Sequence, residues 1–220
     1  MGAIIEPGKI PSEASLRQAL EERHGKALQD RFSSATVAVC GLGGLGSNIA
    51  IALARAGVGR LILIDFDRVD ITNLHRQQYK ATQLGLSKAE ALAANLREIA
   101  PYLPLTCHQV RMREDNCGTL LQEADVVCEA FDRPEAKAML VNAVLTTMPE
   151  KYLVAASGMA GLGPGNSIRT RRVAERFYLC GDEVSAVDHE TSLVASRVML
   201  CAAHQALTVL RILAGQYDVS

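Results

Sequence analysis

A glycine-rich turn carries the first chemistry that can be read from the chain. The turn Gly41-Leu-Gly-Gly-Leu-Gly46 follows an apolar run at 36–40 and precedes a small-residue segment at 47–56 with a helical pattern. Such a turn lets backbone N–H groups approach a phosphate, and the helix N-terminus adds a positive potential. Asp65 ends the next apolar run, 19 residues after Gly46, where a carboxylate would bind a ribose hydroxyl. The spacing therefore predicts a nucleotide-binding site. The glycines expected to bind the nucleotide are Gly41, Gly43, Gly44 and Gly46.

Polar side chains just beyond Asp65 indicate which nucleotide this is. Asp67, Asn73 and Arg76 follow it closely, and Lys88 lies at the start of the next helical segment. A dinucleotide enzyme needs a flat pocket for nicotinamide, whereas several donors near a helix N-terminus suit the β- and γ-phosphates of a triphosphate. Arg76 and Lys88 could instead be solvated surface charges. Their grouping after the glycine turn favours ATP.

The elements that must position these residues follow the order of an α/β protein. Apolar runs at 36–40, 61–64, 105–110, 124–128 and 152–156 alternate with helical segments at 47–56, 87–99 and 133–146. This order predicts a Rossmann-like, doubly wound and mainly parallel sheet. Two β-like segments, 168–173 and 177–179, are expected to be antiparallel additions at its C-terminal side. Residues 1–32 are expected to form a helical N-terminal arm, and residues 33–220 the nucleotide-binding domain.

The composition argues against several other classes of protein. The chain has 220 residues, of which 49% are hydrophobic and 21% charged, as in an ordinary globular domain. A net charge of −1 and an aromatic content of 4% make a nucleic-acid partner unexpected. None of the six cysteines forms a Cys-x-x-Cys pair, so no zinc site is expected.

The apolar segment 193–214 needs a separate interpretation. Arg197, His204 and Arg211 recur in it every seven residues and therefore share one helix face. We expect a helix that packs on the core and exposes this polar stripe, and not a membrane span. The N-terminal sequence has no apolar core of signal-peptide length, which predicts a cytoplasmic protein with reduced thiols.

Four segments together form a family pattern. They are the glycine turn 41–46, the sequence Asp65-Phe-Asp67, the sequence Val69-Asp-Ile-Thr-Asn73-Leu-His-Arg76-Gln77, and Lys88. The pattern resembles the ubiquitin-activating-enzyme-like superfamily of the ThiF and MoeB type over about residues 15–215, and the short length is most similar to short-form ThiF. The resemblance implies ATP-dependent adenylation of the C-terminal glycine of a ThiS-like sulfur carrier ending in Gly-Gly, in thiamine thiazole biosynthesis. It also implies Mg²⁺ and a homodimer.

The resemblance also implies roles for single residues. Asp65 would hold the ribose, and Asn73, Arg76 and Lys88 the phosphates. Asp132 matches the metal-binding aspartate of the superfamily, and a carboxylate at the end of a parallel strand is a sensible Mg²⁺ ligand. Asp132 could also cap the helix that begins at Arg133-Pro-Glu, and both roles can hold together. Glu129 is a weaker second metal candidate.

Two further roles depend on the family pattern alone. Members of the superfamily use an arginine from the N-terminal arm of the other subunit, for which Arg17 is the candidate and Arg23 the alternative. Some members take up the activated carrier on a cysteine, for which Cys180 is the candidate here. A lone cysteine between apolar residues is more often a small buried hydrophobe.

Three rival functions remain at this point. The first is an ATP-dependent dehydratase of threonylcarbamoyladenosine in tRNA, with the Arg169-Thr-Arg-Arg172 cluster on phosphate. The second is an NAD(P)-dependent oxidoreductase, and the third is a non-catalytic nucleotide-binding partner.

Overall fold

The computed structural model describes residues 7–189 and 191–219. Within these residues seven strands form one sheet, with helices on both of its faces. The strands are β1 (Thr36–Cys40), β2 (Arg60–Ile64), β3 (Leu105–His108), β4 (Val126–Glu129), β5 (Tyr152–Ala156), β6 (Arg169–Ala174) and β7 (Phe177–Gly181). The α-helices are α1 (Glu13–His24), α2 (Lys26–Ser33), α3 (Gly44–Arg55), α4 (Lys88–Ile99), α5 (Glu114–Leu121), α6 (Pro134–Thr147) and α7 (Ala195–Leu213).

The strand order creates a crevice where ligands bind in this architecture. The order is β3-β2-β1-β4-β5-β7-β6. From β1 the chain therefore adds β2 and β3 on one side and then β4 and β5 on the other. Cys40 at the end of β1 is in register with Ile64 of β2 and Glu129 of β4. The segments after these three strands therefore emerge side by side, at the point where the strand order reverses. Open α/β sheets bind their ligands in the crevice at this point.

Alternation along the strands explains the two covered faces. Val37 and Val39 of β1 point into a core with α3, α4 and α7, whereas Ala38 and Cys40 point into a second core with α5 and α6. Successive side chains of a strand face opposite sides of the sheet. A strand buried on both sides therefore appears as a continuous apolar run, which is what the sequence shows at β1, β2 and β4.

The structure confirms the Rossmann-like, mainly parallel sheet and corrects two details of it. Only β6 is antiparallel to its neighbour, because β7 pairs in parallel with β5 while β6 returns beside β7. Helix α5 has no counterpart in the sequence-based interpretation. Its eight residues include Gly118, and only Cys117 and Leu121 are buried, so its apolar pattern is short.

The prediction that α7 exposes a polar stripe is wrong at Arg197. Arg197 is only 6% exposed and donates hydrogen bonds to the carbonyls of Gly163 and Pro164 and to Asp182. The strongly exposed side chains of this helix include Met199 and Leu207. The seven-residue recurrence placed the charges on one face correctly, but a loop folds over part of that face and its carbonyls accept hydrogen bonds from Arg197 Nη1.

The N-terminal arm lies against the domain through its second helix. Helix α1 buries no residue, whereas α2 buries Gln29 and Phe32. Gln29 donates to the Gly57 carbonyl after α3, at 3.0 Å, and Arg31 donates to the Ala214 carbonyl after α7. The first six residues of the expected arm lie outside the described residues. No helix in the described ranges is long and apolar enough to cross a membrane.

Candidate active site

A cavity of about 920 Å³ occupies the crevice at the carboxyl ends of β1, β2 and β4. Its wall brings together most of the residues singled out by the sequence. These are Gly41, Gly43, Gly44, Asp65, Asp67, Asn73, Arg76, Lys88 and Asp132. Gly46, Arg17 and Cys180 are not among the described residues that line it.

The glycines of the turn are needed for different reasons. Gly41 has a φ of +91°, and a Cβ there would lie 2.7 Å from the Ala130 carbonyl oxygen. At Gly43 a Cβ would meet nothing closer than Gln77 Nε2 at 3.6 Å, so this position faces open space in the cavity. At Gly46 a Cβ would lie 1.8 Å from the Gly41 carbonyl oxygen. Gly46 therefore closes the turn under α3, and Gly43 keeps the backbone open to a ligand.

The acidic end of the cavity is organised by the backbone. Asp65 is 7% exposed and accepts hydrogen bonds from the Leu42 N–H at 2.6 Å and the Asp67 N–H at 2.8 Å. Burial raises the pKa of Asp65, while the Lys88 ammonium acts in the opposite direction. Lys88 Nζ lies 3.2 Å from Asp67 Oδ2. A fixed carboxylate beside the glycine turn is suited to accept hydrogen bonds from a ribose.

Arg76 and Gln77, which lie beside Gly44 and Gly43 of the turn, carry polar atoms that lack partners. Gln77 Nε2 donates to Asn73 Oδ1 at 2.8 Å, and Arg76 approaches the same oxygen at 3.4 Å. Among the described residues, Arg76 Nε and Gln77 Oε1 are buried with no hydrogen-bond partner. Buried polar groups normally have partners. Elsewhere in the described part of the chain, Ser87 Oγ, Arg197 Nε and Gln205 Oε1 are unpaired as well, so the two atoms support a polar ligand only because their residues line the cavity. Burial lowers the pKa of the Arg76 guanidinium, and the nearby Asp132 carboxylate opposes this shift.

Asp132 has the position expected of a metal ligand but does not cap a helix. The N-cap residue of α6 is Arg133, so the capping alternative for Asp132 is wrong. Asp132 is exposed, and it makes no hydrogen bond or ion pair within the part of the chain described. The described residues contain no group of three or more His, Cys, Asp or Glu side chains that could hold a metal ion. One carboxylate together with phosphate oxygens is a common arrangement for Mg²⁺, and the metal role of Asp132 stays a prediction.

Glu129 cannot serve as the second metal ligand in this structure. Its side chain is 1% exposed, and both of its oxygens accept hydrogen bonds from Lys137 Nζ, at 3.0 and 2.8 Å. The Phe131 N–H donates to the same carboxylate at 2.8 Å. Glu129 and Asp132 are three residues apart, yet one is sealed in the core and the other faces the cavity.

Sequence reasoning missed a stacked pair on the cavity wall. The guanidinium carbon of Arg111 lies 3.9 Å from the centroid of the Phe66 ring, next to Asp65. A flat cation over an aromatic ring is a suitable neighbour for a planar base. Arg111 follows β3, whose His108 is in register with Ile64, the last residue of β2. The position of Arg111 is therefore predictable in the same way as that of Asp65, because both residues follow the carboxyl ends of neighbouring parallel strands.

Arg17 and Arg23 lie away from the cavity in the single chain. Arg17 forms ion pairs with Glu21 and Asp30 and donates to Ser33 Oγ at 3.0 Å. Arg23 is exposed and has no polar partner in the described ranges. An action in the other subunit stays a prediction for both.

Cys180 is fully buried in β7, not outside the core elements as the sequence suggested. Burial raises the pKa of its thiol to about 11. A reactive thiolate needs exposure and a lowered pKa, so this structure gives the persulfide or thioester role no support.

Comparisons with known proteins identify the family and the fold. The sequence model of the ThiF family matches residues 16–220. The chain belongs to the ThiF family. Among curated relatives, this ThiF-family chain is 33% identical over 144 residues to "Adenylyltransferase and sulfurtransferase MOCS3" of Aedes aegypti, a match that covers 65% of the chain and 32% of that protein. It is 28% identical to "Adenylyltransferase and sulfurtransferase UBA4" of Candida glabrata, over 96% of the chain and 52% of the relative. The chain thus spans a third to about half of the length of these relatives.

Solved structures show the same fold. The crystal structure of the E. coli tRNA N6-threonylcarbamoyladenosine dehydratase TcdA in complex with ATP superposes with a TM-score of 0.84 at 22% sequence identity. The superposition covers 94% of the ThiF-family chain and 98% of TcdA. At this level of identity the likeness concerns the fold.

Proposed function

We propose that this ThiF-family chain uses ATP to adenylate the C-terminal glycine of a small ubiquitin-like sulfur carrier and releases pyrophosphate. The carrier would be ThiS-like, with a Gly-Gly end, and the pathway thiamine thiazole formation. One observation carries the proposal. A single cavity is lined by a fixed carboxylate, Asp65, by the exposed carboxylate of Asp132, and by Arg76 and Gln77, each of which has one buried polar atom without a partner. This pattern matches a ribose followed by a chain of phosphates.

The proposed reaction needs no general base. A carboxylate oxygen of the carrier attacks the α-phosphorus of ATP, the bond between that phosphorus and the oxygen bridging to the β-phosphorus breaks, and pyrophosphate leaves with the electron pair. Because the carboxylate is already ionised at neutral pH, no proton has to be removed. Catalysis then consists of positioning the two reactants and stabilising phosphate charge.

The chain's own residues divide this work. Backbone N–H groups of the turn at Gly43 and Gly44 bind phosphate oxygens, and Asp65 fixes the ribose. Arg76 donates to the phosphate chain, and Lys88 joins it by exchanging its ion pair with Asp67. Mg²⁺, held by Asp132 and phosphate oxygens, would supply charge neutralisation. Named adenylyltransferases among the relatives, MOCS3 and UBA4, support this assignment.

The proposal includes a C2 homodimer in which each site receives an arginine from the partner subunit's arm. Arg17 remains the candidate, although it would have to leave Asp30 and Glu21 to reach a phosphate. Arg23, which is exposed, needs no such exchange. The test mixes an Asp132→Ala chain with whichever of Arg17→Ala and Arg23→Ala is inactive alone. Recovery to about a quarter of the wild-type activity, from random subunit exchange, identifies the arginine that acts in trans.

Pyrophosphate release tests the proposed function directly. The purified chain is mixed with ATP, Mg²⁺ and a ThiS protein, and the control reaction contains the same ThiS without its last glycine. We expect pyrophosphate only with the intact carrier, and an acyl-adenylate detectable by mass spectrometry. Calorimetry with ATP and NADH addresses the oxidoreductase rival in parallel. Tighter binding of NADH than of ATP would overturn the adenylation proposal.

A second candidate function, dehydration of threonylcarbamoyladenosine in tRNA, draws on the edge strand β6. Arg169, Arg171 and Arg172 lie on this exposed strand. However, Arg171 is paired with Glu183, and Arg172 donates to the Glu175 carbonyl, so part of their hydrogen-bonding capacity is already used. ATP hydrolysis stimulated by tRNA carrying the modified base, with no response to ThiS, would favour this second function over the first.

A further inference from the structure

An ion pair between buried Glu129 and half-buried Lys137 flanks the segment that carries Asp132. Glu129 is the last residue of β4, and Lys137 lies in the first turns of α6. Both oxygens of Glu129 accept hydrogen bonds from Lys137 Nζ. Glu129 is 1% exposed and the Lys137 side chain 23% exposed, so the pair lies at the edge of the core. Such a pair stabilises a protein little in comparison with apolar residues of similar size, so its presence calls for another reason.

The pair forms hydrogen bonds with both the N–H and the carbonyl of Phe131. The Phe131 N–H donates to Glu129 Oε1 at 2.8 Å, and Lys137 Nζ donates to the Phe131 carbonyl at 3.0 Å. The segment 130–132 is thereby folded around the pair. Asp132 follows Phe131 directly and has no polar contact that fixes it. The position of its carboxylate therefore depends on the backbone that the pair holds.

The same segment also touches the glycine turn. The Ala130 N–H donates to the Cys40 carbonyl at 2.8 Å, and the Ala130 carbonyl oxygen lies where a Cβ of Gly41 would clash. On the other side, Gln205 of α7 donates to the Glu129 carbonyl at 3.0 Å. The backbone that the pair holds is thus also bonded to the end of β1 and to α7.

We propose that Glu129 and Lys137 are positioning residues that set the carboxylate of Asp132 against the phosphate end of the cavity. This inference rests on the proposed function for the role of Asp132 as a Mg²⁺ ligand. The pair does not touch the nucleotide. It makes ATP binding responsive to Mg²⁺ by keeping one carboxylate in place, as residues that support metal ligands do in other proteins.

The experiment measures ATP affinity by calorimetry, once with Mg²⁺ and once with EDTA. In the wild-type chain Mg²⁺ should tighten ATP binding. Lys137→Met and Glu129→Gln should each lose most of that enhancement, by about tenfold in the affinity for MgATP. The affinity for metal-free ATP should change by less than a factor of two. Lys137→Arg retains a donor that reaches the carbonyl and should recover much of the enhancement.

Lys151→Met is the matched control. Lys151 is another half-buried lysine that donates to backbone carbonyls, those of Gln122 and Ala124, and these lie just before β4. Its loss should lower the thermal unfolding temperature without altering the Mg²⁺ response. Unfolding curves of all variants identify any chain that does not fold. If Lys137→Met does not fold, the smaller change Glu129→Gln and its unfolding curve decide the question.

A double-mutant cycle with Asp132→Ala separates positioning from general stability. If the pair acts through Asp132, adding Glu129→Gln to Asp132→Ala should weaken MgATP binding no further. Additive effects, an unchanged Mg²⁺ response in both single variants, or a wild-type chain that ignores Mg²⁺ would overturn the inference. A wild-type chain that binds MgATP but never releases pyrophosphate with the carrier would overturn the proposed function alone.

Discussion

Replacing Gly46 by alanine gives the sharpest test of how the glycine turn is built. Gly46 lies in the first turn of α3, and an added Cβ would lie 1.8 Å from the Gly41 carbonyl oxygen and 2.9 Å from its carbon. An ordinary C···O contact is about 3.3 Å or longer, so the helix and the turn would have to separate by about 1.5 Å. Both are backbone, and no flexible side chain can move to relieve the clash.

The energetic cost follows from what α3 packs against. This helix buries Leu45, Ile49 and Leu53 in the core beneath the sheet. Overpacking a core costs about 1–3 kcal/mol, and a clash between two backbone segments lies at or beyond the upper end. We expect Gly46→Ala to lower the free energy of unfolding by about 3–5 kcal/mol. For a domain of this size that corresponds to a fall of about 6–20 °C in Tm.

Gly43→Ala is the matched variant in the same turn. Gly43 has a negative φ of −77°, and its Cβ would meet nothing nearer than 3.6 Å. Alanine is a poorer N-cap than glycine, so a loss of stability up to about 1 kcal/mol is expected. The added methyl group would occupy the face from which phosphate approaches the backbone. ATP affinity should therefore fall about tenfold, equivalent to about 1.4 kcal/mol.

Thermal unfolding and ATP calorimetry on the wild type, Gly46→Ala and Gly43→Ala test both roles of the glycine turn. Thermal unfolding and ATP calorimetry should give a destabilised Gly46→Ala chain, and a Gly43→Ala chain that is nearly as stable as the wild type but binds ATP weakly. A Tm of Gly46→Ala within about 2 °C of the wild type would refute the clash argument. Wild-type ATP affinity in Gly43→Ala would refute the assignment of this glycine to phosphate binding.

Three further predictions concern single side chains. Asp132→Ala should abolish Mg²⁺-dependent ATP–pyrophosphate exchange while changing unfolding free energy by less than about 0.5 kcal/mol, because this exposed side chain has no polar partner to lose; wild-type exchange would contradict its metal role. Burial acts to raise the pKa of Asp182, but hydrogen bonds from Ser185, Val184 and Arg197 prevail and hold it at about 2, below the usual 3.8. A lowered carboxyl pKa stabilises the folded state above pH 4, and this stabilisation is lost as the pH falls towards 2. Unfolding measured at several acid pH values should therefore show Asp182→Asn to be about 2 kcal/mol less stable than the wild type at pH 6 and nearly equal to it at pH 2. Cys180→Ala should retain carrier adenylation and sulfur transfer within a factor of two, and loss of either in a folded variant would restore the cysteine as a reactive group.

The sequence by itself determined the nucleotide-binding unit. The run β1, glycine turn, α3, β2 and Asp65 is contiguous, and each part is specified by local residue types. Strands buried on both faces must be apolar throughout, and a tight strand-to-helix turn must be rich in glycine. Asp132 could be located for the same reason, since the residues after parallel strands meet at one edge of the sheet.

The sequence did not determine which way a side chain faces once a distant segment folds over it. Glu129 ends β4 and Asp132 follows it by three residues, yet Glu129 is paired with Lys137 in the interior while Asp132 is exposed. Cys180 became inaccessible because β7 joined the sheet beside β5 and was covered by α7.

Helix α7 shows the limit most clearly. Its charged positions recur every seven residues, and this local periodicity correctly groups them on one face. Whether that face meets water depends on the loop 157–167, whose carbonyls bind Arg197 from more than thirty residues away. Periodicity within a helix fixes relative directions around its axis, but contacts with the rest of the chain decide which direction is buried.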